Sequence, residues 1–214
     1  MVCGMTALRK PSRASVLRLE LYLEVIDQFQ KEGRTHITSA EIGEALGIPD
    51  VKVRQDMFGL GTAGRPRVGY EVEHLARLIR EVFDIDRPKS ACIVGFGNLG
   101  RALAGSNIWP RAGFKLTSVF DRDPNVIGTE FGDIRVRSVA ELIGVVKTEK
   151  IEAGVITVPA SAAQETADLL VLAGVKAIWN FAPVKVFTPE SVVVEDQSLS
   201  WGLVTLSYRL KTNQ

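Results

Sequence analysis

The sequence has few of the residues that carry redox and acid–base chemistry in proteins. Its 214 residues include two cysteines and two histidines. Cys3 and Cys92 are too few for a disulfide framework, and Cys92 lies in an apolar run that predicts a buried strand. This cysteine usage is typical of a reducing compartment, so we expect a cytoplasmic protein.

Long hydrophobic runs and a strong net charge are also absent. No stretch approaches the roughly 18 uninterrupted apolar residues of a transmembrane helix. No apolar run follows the basic residues Arg9, Lys10 and Arg13, so a secretory signal is not predicted and we expect no membrane partner. The formal net charge is +1, so any surface that attracts nucleic acid must be local.

What is present is the composition of a globular protein, with 46% hydrophobic and 24% charged residues. A chain of this length can bury a sizeable core, as one large or two small domains. Residues 1–14 are small, polar and basic, and predict a flexible arm. We expect a helical domain over 15–86, an α/β domain over 87–196 and a C-terminal helix over 197–214.

The N-terminal part predicts three helices and a glycine-rich loop. Apolar residues recur at spacings of three and four over 19–29, as in an amphipathic helix. Thr38 and Glu41 have capping-box spacing and predict the start of a short second helix. A third helix is predicted over 51–58. The loop 59–70 holds four glycines and a proline, which suits a β-hairpin or looped wing.

This order of elements is that of a winged helix-turn-helix, in which the second helix of the motif enters the major groove of DNA. Residues 51–70 carry four cations and one carboxylate, Asp56, and residues 1–20 carry a second basic cluster that includes Arg18. Concentrated basic charge is what phosphate contact requires. The predicted DNA-binding residues are Arg13, Lys52, Arg54, Gln55, Arg65 and Arg67. A helical dimerisation domain with an ordinary solvated basic face remains the alternative.

After Lys89 the pattern changes to alternating strands and helices, which predicts a doubly wound parallel sheet. Strands are expected over 91–94, 115–120, 153–158 and 177–179, with an edge strand over 192–194. Helices are expected over 98–106, 139–147 and 162–173, with a closing helix over 198–210.

A GxGxxG string lies directly after the first of these strands and before a helix. Its residues are Gly95, Phe96, Gly97, Asn98, Leu99 and Gly100. The three glycines would serve a tight turn, close approach of a pyrophosphate and helix–strand packing. Asp121 follows the next strand, where a carboxylate can accept from ribose hydroxyls and favours NAD(H) over NADP(H); Arg122 beside it weakens that preference. Glycines that serve packing alone, and an Asp121 that is only a turn residue, are the alternatives.

A dehydrogenase usually needs an acid or base near the nicotinamide. The two histidines, His36 and His74, precede the nucleotide-binding segment, and no separate substrate domain is evident. We therefore expect no catalytic residues, no metal and no enzyme, although a partner subunit could supply a catalytic group.

The sequence resembles the Rex family of bacterial redox-sensing transcriptional repressors over almost its full length. The residues that carry the resemblance are TSAEIGEALG…VRQD (38–56), RVGYEVEHL (67–75), VGFGNLGRAL (94–103), FDRDPNVIG (120–128), TVPASAAQETADLLVLAGVKAIWNFAPV (157–184) and LSWGLVTLSY (199–208).

The resemblance implies a homodimer with an exchanged C-terminal helix, an operator in double-stranded DNA, and competition between NADH and NAD⁺ in which NADH releases DNA. It places Arg54 on DNA. It also implies two sets of nucleotide contacts. Those along the nucleotide are Gly95, Gly97, Asn98, Leu99 and Asp121, and those on the nicotinamide side are Thr157, Val158, Pro159, Asn180, Phe181 and Ala182.

The chain departs from the family pattern at two places. Most relatives read VRKDLSYFGEFGKRGVGY where this chain reads VRQDMFGLGTAGRPRVGY, so Gln55 replaces a lysine and Phe58 replaces a serine. Gln prefers adenine where Lys favours guanine, which predicts a different operator. An arginine, a tyrosine and an aspartate that interact across the family's dimer are aligned with Glu24, Ser106 and Ser198.

The sequence therefore predicts a DNA-binding repressor that senses the ratio of NADH to NAD⁺. Three alternatives stay open at this point. They are a Rex-like regulator with a lost or altered redox response, an NAD-dependent oxidoreductase, and a scaffold that uses a degenerate Rossmann fold for dimerisation.

Overall fold

A computed structural model describes residues 12–212 and, within that range, not the side chain of Arg13. The predicted arm, with Cys3, thus lies almost wholly outside the described residues, as does the side chain predicted to contact DNA at position 13. The chain forms two compact units; one ends at Asp86 and the other begins at Arg87.

The N-terminal unit contains four helices and a small two-stranded sheet among its described residues. Their bounds are α1 Arg13–Lys31, β1 His36–Ile37, α2 Ser39–Leu46, α3 Asp50–Gly59, β2 Tyr70–Glu71 and α4 Val72–Phe83. The three helices predicted before the wing are confirmed. The antiparallel pairing of β1 with β2 was not predicted, because two-residue strands leave no periodic pattern in a sequence.

Local interactions explain where α2 begins. The Thr38 hydroxyl accepts the Glu41 N–H at 3.2 Å, and the Glu41 carboxylate accepts the Thr38 N–H at 2.7 Å. This reciprocal pair satisfies two amides that the helix leaves free, so the predicted capping box is confirmed.

The core of the N-terminal unit fills the space between the four helices. Apolar side chains from each helix and from both strands are buried there. Side chains with no exposed surface are Tyr22, Ile26, Ile37, Ile42, Val53, Met57, Leu75 and Ile79. Burial of apolar surface on this scale is the main force that orients α3 against α1 and α2.

The second unit is an α/β domain. Its strands are β3 Lys89–Val94, β4 Phe114–Asp121, β5 Glu130–Phe131, β6 Ile134–Ser138, β7 Ala153–Ile156, β8 Ala177–Asn180 and β9 Val193–Asp196. Its α-helices are α5 Asn98–Ala104, α6 Ile108–Arg111, α7 Leu142–Glu149, α8 Ala160–Ala173 and α9 Leu199–Thr212.

The sheet order is β5-β6-β4-β3-β7-β8-β9, and every neighbouring pair is parallel except β5 with β6. Without β5 this is the strand order 3-2-1-4-5-6 of a Rossmann fold. The predicted doubly wound parallel sheet is confirmed, and the predicted edge strand is β9. Buried residues form one core on each face of the sheet.

Three details differ from the expectations. The hairpin of β5 and β6 was missed, although Ile134 and Val136 alternate with arginines as in a strand. The short helix α6 was missed because it is four residues long and contains Pro110. The strand expected over 153–158 ends at Ile156, which leaves the next two residues in a loop.

The C-terminal helix α9 is confirmed as a helix, and none of its side chains is buried. Seven large apolar or aromatic side chains on it are exposed, namely Leu199, Trp201, Leu203, Val204, Leu206, Tyr208 and Leu210. Between residues 12 and 212, no helix has the length and apolar character needed to cross a membrane.

Candidate functional site

The glycine loop, residues 95–100, makes a sharp turn between β3 and α5. Gly95 has φ +100°, a conformation that side chains rarely adopt, and its N–H bonds to the Phe120 carbonyl at 2.8 Å. A Cβ on Gly100 would lie 2.1 Å from the Gly95 carbonyl oxygen. These two glycines therefore allow α5 to pack directly on the end of β3.

Gly97 has a different role, because a Cβ there would meet no heavy atom within 4 Å. Gly97 is exposed and is the N-cap residue of α5. Because it has no side chain, no side-chain hydrogen bond caps the start of this helix. A ligand can thus approach the loop backbone and the first amides of α5 at this point.

Thr157 joins the glycine loop to the loop that follows β7. Its hydroxyl donates to the Gly95 carbonyl at 2.6 Å, and its N–H bonds to the Val94 carbonyl at 3.0 Å. The Phe181 N–H bonds to the Ile156 carbonyl at 2.9 Å, so the loop after β8 lies beside the loop after β7.

Asp121 ends β4 beside the glycine loop. One of its carboxylate oxygens accepts the Phe96 N–H at 2.5 Å, and the other accepts the Asp123 N–H at 2.8 Å. Each oxygen keeps a second lone pair, so the carboxylate can still accept from a ligand hydroxyl. Arg122, the next residue, is exposed.

The side chain of Phe96 points into the protein, so only its backbone is available to a ligand. Its ring is buried and packs edge-on against Phe131, with ring centroids 5.5 Å apart. The Arg101 guanidinium lies 4.6 Å from the Phe96 ring centroid, and its Nε donates to the Phe96 carbonyl at 3.0 Å. Arg101 supports the loop, which nothing in the GxGxxG spacing indicated.

The side chain of Asn180 also makes hydrogen bonds within the protein. Its amide nitrogen donates to the Val184 carbonyl at 2.7 Å and to Asp196 Oδ1 at 2.8 Å, and its oxygen accepts the Ala182 N–H at 3.0 Å. Asn180 and Ala182 are buried, whereas the Phe181 ring is half-buried. Asn180 therefore shapes the loop after β8.

The predicted nucleotide-contacting residues all lie at the carboxyl ends of β3, β4, β7 and β8. A hydrogen bond joins Thr157 to the glycine loop. Val158 and Pro159 lie in the loop between β7 and α8. The chain turns to opposite sides of the sheet at β3 and β7, which is where open α/β sheets bind ligands.

Helix α3 of the N-terminal unit has two distinct faces. The buried face contains Val53, Asp56 and Met57. The exposed face of α3 contains Val51, Arg54, Gln55 and Phe58, which follow the helical spacing of three and four. With the wing, residues 59–70, this face borders a groove of about 430 Å³ whose wing side is Thr62, Ala63, Gly64 and Tyr70.

The predicted DNA-binding cations lie beside this groove. Arg54 pairs with Asp50 one turn earlier, and Lys52 is half-buried on the flank of α3. The wing is a tight hairpin, since the N–H and carbonyl of Arg65 bond to Gly69 at 2.9 Å or less. Arg65 and Arg67 are exposed there.

The assignment of Arg18 to a phosphate-binding cluster is wrong. Its guanidinium donates to both oxygens of Asp56, at 2.6 and 2.9 Å, and the Tyr22 hydroxyl donates to the same carboxylate at 3.0 Å. Arg18 and Asp56 belong to different helices, so the sequence did not reveal their pairing. Arg18 therefore forms an ion pair with Asp56 inside the unit.

Burial and hydrogen bonds shift the pKa values of this cluster. Burial raises the pKa of Asp56, but hydrogen bonds from Arg18 and Tyr22 and the Arg18 charge lower it more, so its pKa lies below the ordinary value. Burial, with the bond to Asp56, raises the pKa of Tyr22 to about 12. At neutral pH the cluster therefore contains a carboxylate, a guanidinium and a neutral phenol.

At two of the three positions that differ from the family's cross-dimer pattern, the side chain lies within hydrogen-bond distance of a residue close by in the sequence. The Ser106 hydroxyl donates to the Leu103 carbonyl at 2.8 Å, and the Ser198 and Ser200 hydroxyls are 3.1 Å apart. Glu24 is exposed on α1.

The unit that contains the glycine loop has no histidine. Both histidines belong to the N-terminal unit, where His36 lies 3.1 Å from the Thr35 hydroxyl and His74 lies 3.1 Å from Arg77. Within the part of the chain that the structure describes, no group of three His, Cys, Asp or Glu side chains could hold a metal ion.

Known protein families match segments of both units. A family model described as a CoA binding domain matches residues 86–184, and one described as a putative DNA-binding protein N-terminus matches residues 11–57. The redox-sensing transcriptional repressor Rex of Clostridium beijerinckii is 37% identical over 203 residues, which is 95% of this chain and 96% of the relative.

Solved structures agree. The crystal structure of RSP in complex with β-NAD⁺ and operator DNA is 35% identical, with a TM-score of 0.89 over 95% of this chain and 94% of that one. The structure of RSP in complex with β-NADH is 34% identical, with a TM-score of 0.84 over 95% of each chain. This chain therefore belongs to the Rex family of redox-sensing transcriptional repressors.

Proposed function

We propose that the chain is a repressor that binds operator DNA through α3 and the wing, and that NADH bound at the glycine loop favours release of that DNA. The observation that carries the proposal is the glycine loop with Asp121 at the switch point of the Rossmann sheet, in a chain that also contains a winged helix. RSP, at 35% identity, has been solved with both NAD⁺ and operator DNA.

The residues present fit a dinucleotide. Open space at Gly97 and the uncapped start of α5 suit a pyrophosphate, and Asp121 retains acceptor capacity for the adenosine ribose. Asn98 and Leu99 would line the same pyrophosphate as the first residues of α5. A carboxylate at this point disfavours a 2′-phosphate, which supports NAD(H) over NADP(H).

The loops after β7 and β8 would surround the nicotinamide. Val158 and Phe181 are half-buried apolar residues there, and Thr157 fixes the loop to Gly95. The oxidised nicotinamide ring carries a positive charge and the reduced ring is neutral. Because burying a charge among apolar groups is costly, this environment favours NADH over NAD⁺.

The bound nucleotide, and not a thiol, would be the redox-sensitive group. Cys92 is buried in β3, and burial, with the nearby Glu149 charge, raises the pKa of its thiol to about 12. Its reactive thiolate is therefore almost absent at neutral pH.

Coupling between nucleotide and DNA follows from linkage. If NADH prefers a state of the protein that binds operator poorly, it must weaken DNA binding by the same factor by which DNA weakens NADH binding. Coupling in such systems is typically about 5–150-fold. The action of the protein is then binding without turnover, and it takes place in the cytoplasm, where the DNA and the nucleotide pool meet.

A homodimer is part of the proposal. The exposed apolar side chains of α9 need a cover in water, and a second copy that exchanges α9 would supply it. A two-fold dimer would bind a palindromic operator, with one winged helix on each half-site.

Calorimetric titration of the dimer with NADH and with NAD⁺, alone and with operator DNA bound, tests the proposal. We expect NADH to bind tightly without DNA and at least fivefold more weakly with DNA bound. Failure of both nucleotides to bind would overturn the sensor while leaving a DNA-binding protein. Turnover of NADH with a panel of carbonyl compounds would favour an oxidoreductase instead, and a degenerate scaffold would bind neither ligand.

A regulator with an altered redox response is the second candidate, and the residues at positions 24, 106 and 198 favour it. In the structure Ser106 and Ser198 form local hydrogen bonds, so neither provides the charged or phenolic group of the family pattern. The same titration separates the two candidates, because a regulator that has lost the response would have nucleotide affinities that do not change when DNA binds.

A further inference from the structure

We propose that Phe58 reads the C5-methyl group of a thymine in the operator. This inference rests on the proposed DNA-binding function. Phe58 lies at the C-terminal end of the exposed face of α3, and 78% of its surface is exposed.

The exposed position of Phe58 follows from the geometry of α3. The opposite face of the helix is filled by Val53, Asp56 and Met57, so a side chain at position 58 must point away from the core. Val51 lies seven residues earlier, two turns along the same face, and is also exposed. The wing side of the adjoining groove adds the small residues Ala63 and Gly64.

Charge complementarity identifies DNA as the occupant of this face. Arg54 and Gln55 lie between the two apolar side chains and line the groove, Lys52 is half-buried on α3, and Arg65 and Arg67 are exposed in the wing. A surface that combines apolar side chains with cations on α3 and in the wing is unsuited to a membrane interior or a protein core. It suits the major groove, where phosphates lie on both sides of the base edges.

Only one base edge in the major groove carries an apolar group. The thymine C5-methyl is that group, and aromatic or aliphatic side chains contact it in protein–DNA complexes. Gln55 precedes Phe58 by about 4.5 Å along the helix axis, close to the roughly 3.4 Å between base pairs. Because Gln prefers adenine, adjacent A·T pairs would satisfy both side chains.

The test begins with an operator selected by the full-length dimer from a pool of randomised duplexes. Each thymine of the selected operator is then replaced by deoxyuridine, which lacks only the methyl group. Affinity is measured by fluorescence anisotropy at one fixed salt concentration. We expect a single uracil in one half-site to weaken binding about fourfold, the value of one lost methyl contact.

The variants Phe58→Ala and Phe58→Ser assign the effect to the side chain. We expect both to bind the thymine operator more weakly than the wild type does, and to bind the thymine and uracil operators equally. Phe187→Ala is the matched control, since Phe187 is 79% exposed but belongs to the other unit, and it should retain the uracil effect. Thermal unfolding checks that the exposed substitutions leave the fold intact.

Three outcomes would overturn the inference. The first is an operator that tolerates uracil at every thymine. The second is a Phe58→Ala protein that keeps the full uracil effect, since another residue would then read the methyl. The third is a change of oligomeric state in Phe58→Ala, measured by sedimentation, which would make a second copy the occupant of this face. A pool that yields no selected duplex would instead overturn the proposed DNA-binding function itself.

Discussion

The two candidate binding regions of the molecule are built in different ways. The glycine loop offers a ligand mainly backbone, because Gly97 has no side chain and the ring of Phe96 faces the core. The exposed face of α3 offers only side chains. A site made of backbone depends on where glycines allow the chain to turn, whereas a site made of side chains depends on which helix face the core leaves free.

The largest effect on nucleotide binding that this comparison predicts is at Gly100. In Gly100→Val, the added Cβ would lie 2.1 Å from the Gly95 carbonyl, so α5 must move away from β3. We expect NADH affinity to fall by more than about 100-fold, equivalent to about 2.7 kcal/mol at about 1.36 kcal/mol for each factor of ten. Calorimetry measures the loss.

Gly144→Ala is the control for Gly100→Val, because a Cβ at position 144 in α7 meets no heavy atom within 4 Å. This variant should bind NADH as the wild type does. Wild-type NADH affinity in Gly100→Val would show that the glycine loop is not the nucleotide site.

The second prediction concerns the buried face of α3. In Asp56→Ala, Arg18 loses the carboxylate to which its Nε and Nη2 donate, and the Tyr22 hydroxyl loses its acceptor. Breaking a buried ion pair costs about 3–5 kcal/mol, and because the Arg18 side chain is 19% exposed we expect about 3 kcal/mol. Hydrogen exchange should increase across residues 12–86 and stay unchanged in the second unit.

Equal hydrogen exchange in the N-terminal units of Asp56→Ala and the wild type would contradict that role for the ion pair. A loss of DNA affinity without faster exchange would instead place Asp56 on the DNA itself, which its burial argues against.

The third prediction concerns the exposed face of the same helix. Arg54→Ala removes a cation whose ion pair with Asp50 is solvent-exposed and contributes less than about 1 kcal/mol to stability. We expect an unchanged unfolding temperature but operator affinity that is about 5–150-fold weaker, from about 1–3 kcal/mol of lost contact. Fluorescence anisotropy measures the affinity. Arg77→Ala, on α4, is the control and should bind operator normally; equal affinities of the two variants would exclude Arg54 from the interface.

The smallest expected effect is a pH dependence. The pKa of Asp56 is lowered in the folded state, so its contribution to stability is present above the ordinary carboxyl pKa of about 3.9 and is lost as the pH falls through the lower folded value. The N-terminal unit should therefore become less stable below about pH 4.

Asp56→Asn has no titrating group at that position and should lose less stability over the same pH range. Hydrogen exchange of α3 amides at a series of pH values measures the difference. Parallel pH profiles for the two proteins would show that Asp56 does not contribute to the acid sensitivity of α3.

The same contrast explains what the sequence could predict. The glycine loop was predictable because GxGxxG spacing after an apolar strand specifies a backbone path, and the structure has that path. The capping box of α2 was equally local. The pairing of Arg18 with Asp56 was not predictable, since it joins residues 38 positions apart on two helices.

Side-chain direction was also beyond the sequence. Phe96 lies in the predicted phosphate loop and Asn180 at a position that the family pattern assigns to the nucleotide. Yet the Phe96 ring packs on Phe131 and the Asn180 amide bonds to Val184 and Asp196. The reverse holds for Phe58, where a phenylalanine in a helix suggests a core residue and the structure exposes it. In each case the deciding factor is the space left by residues distant in the chain.

The exposed apolar helix α9 has a consequence for the amount of protein that a cell must make. If two copies have to cover each other's α9, the form that binds a palindrome accumulates with the square of the monomer concentration whenever most chains are monomeric. Operator occupancy would then rise steeply over a narrow range of expression. Below that range, single chains with uncovered tryptophan and leucine side chains would be targets for chaperones and proteases.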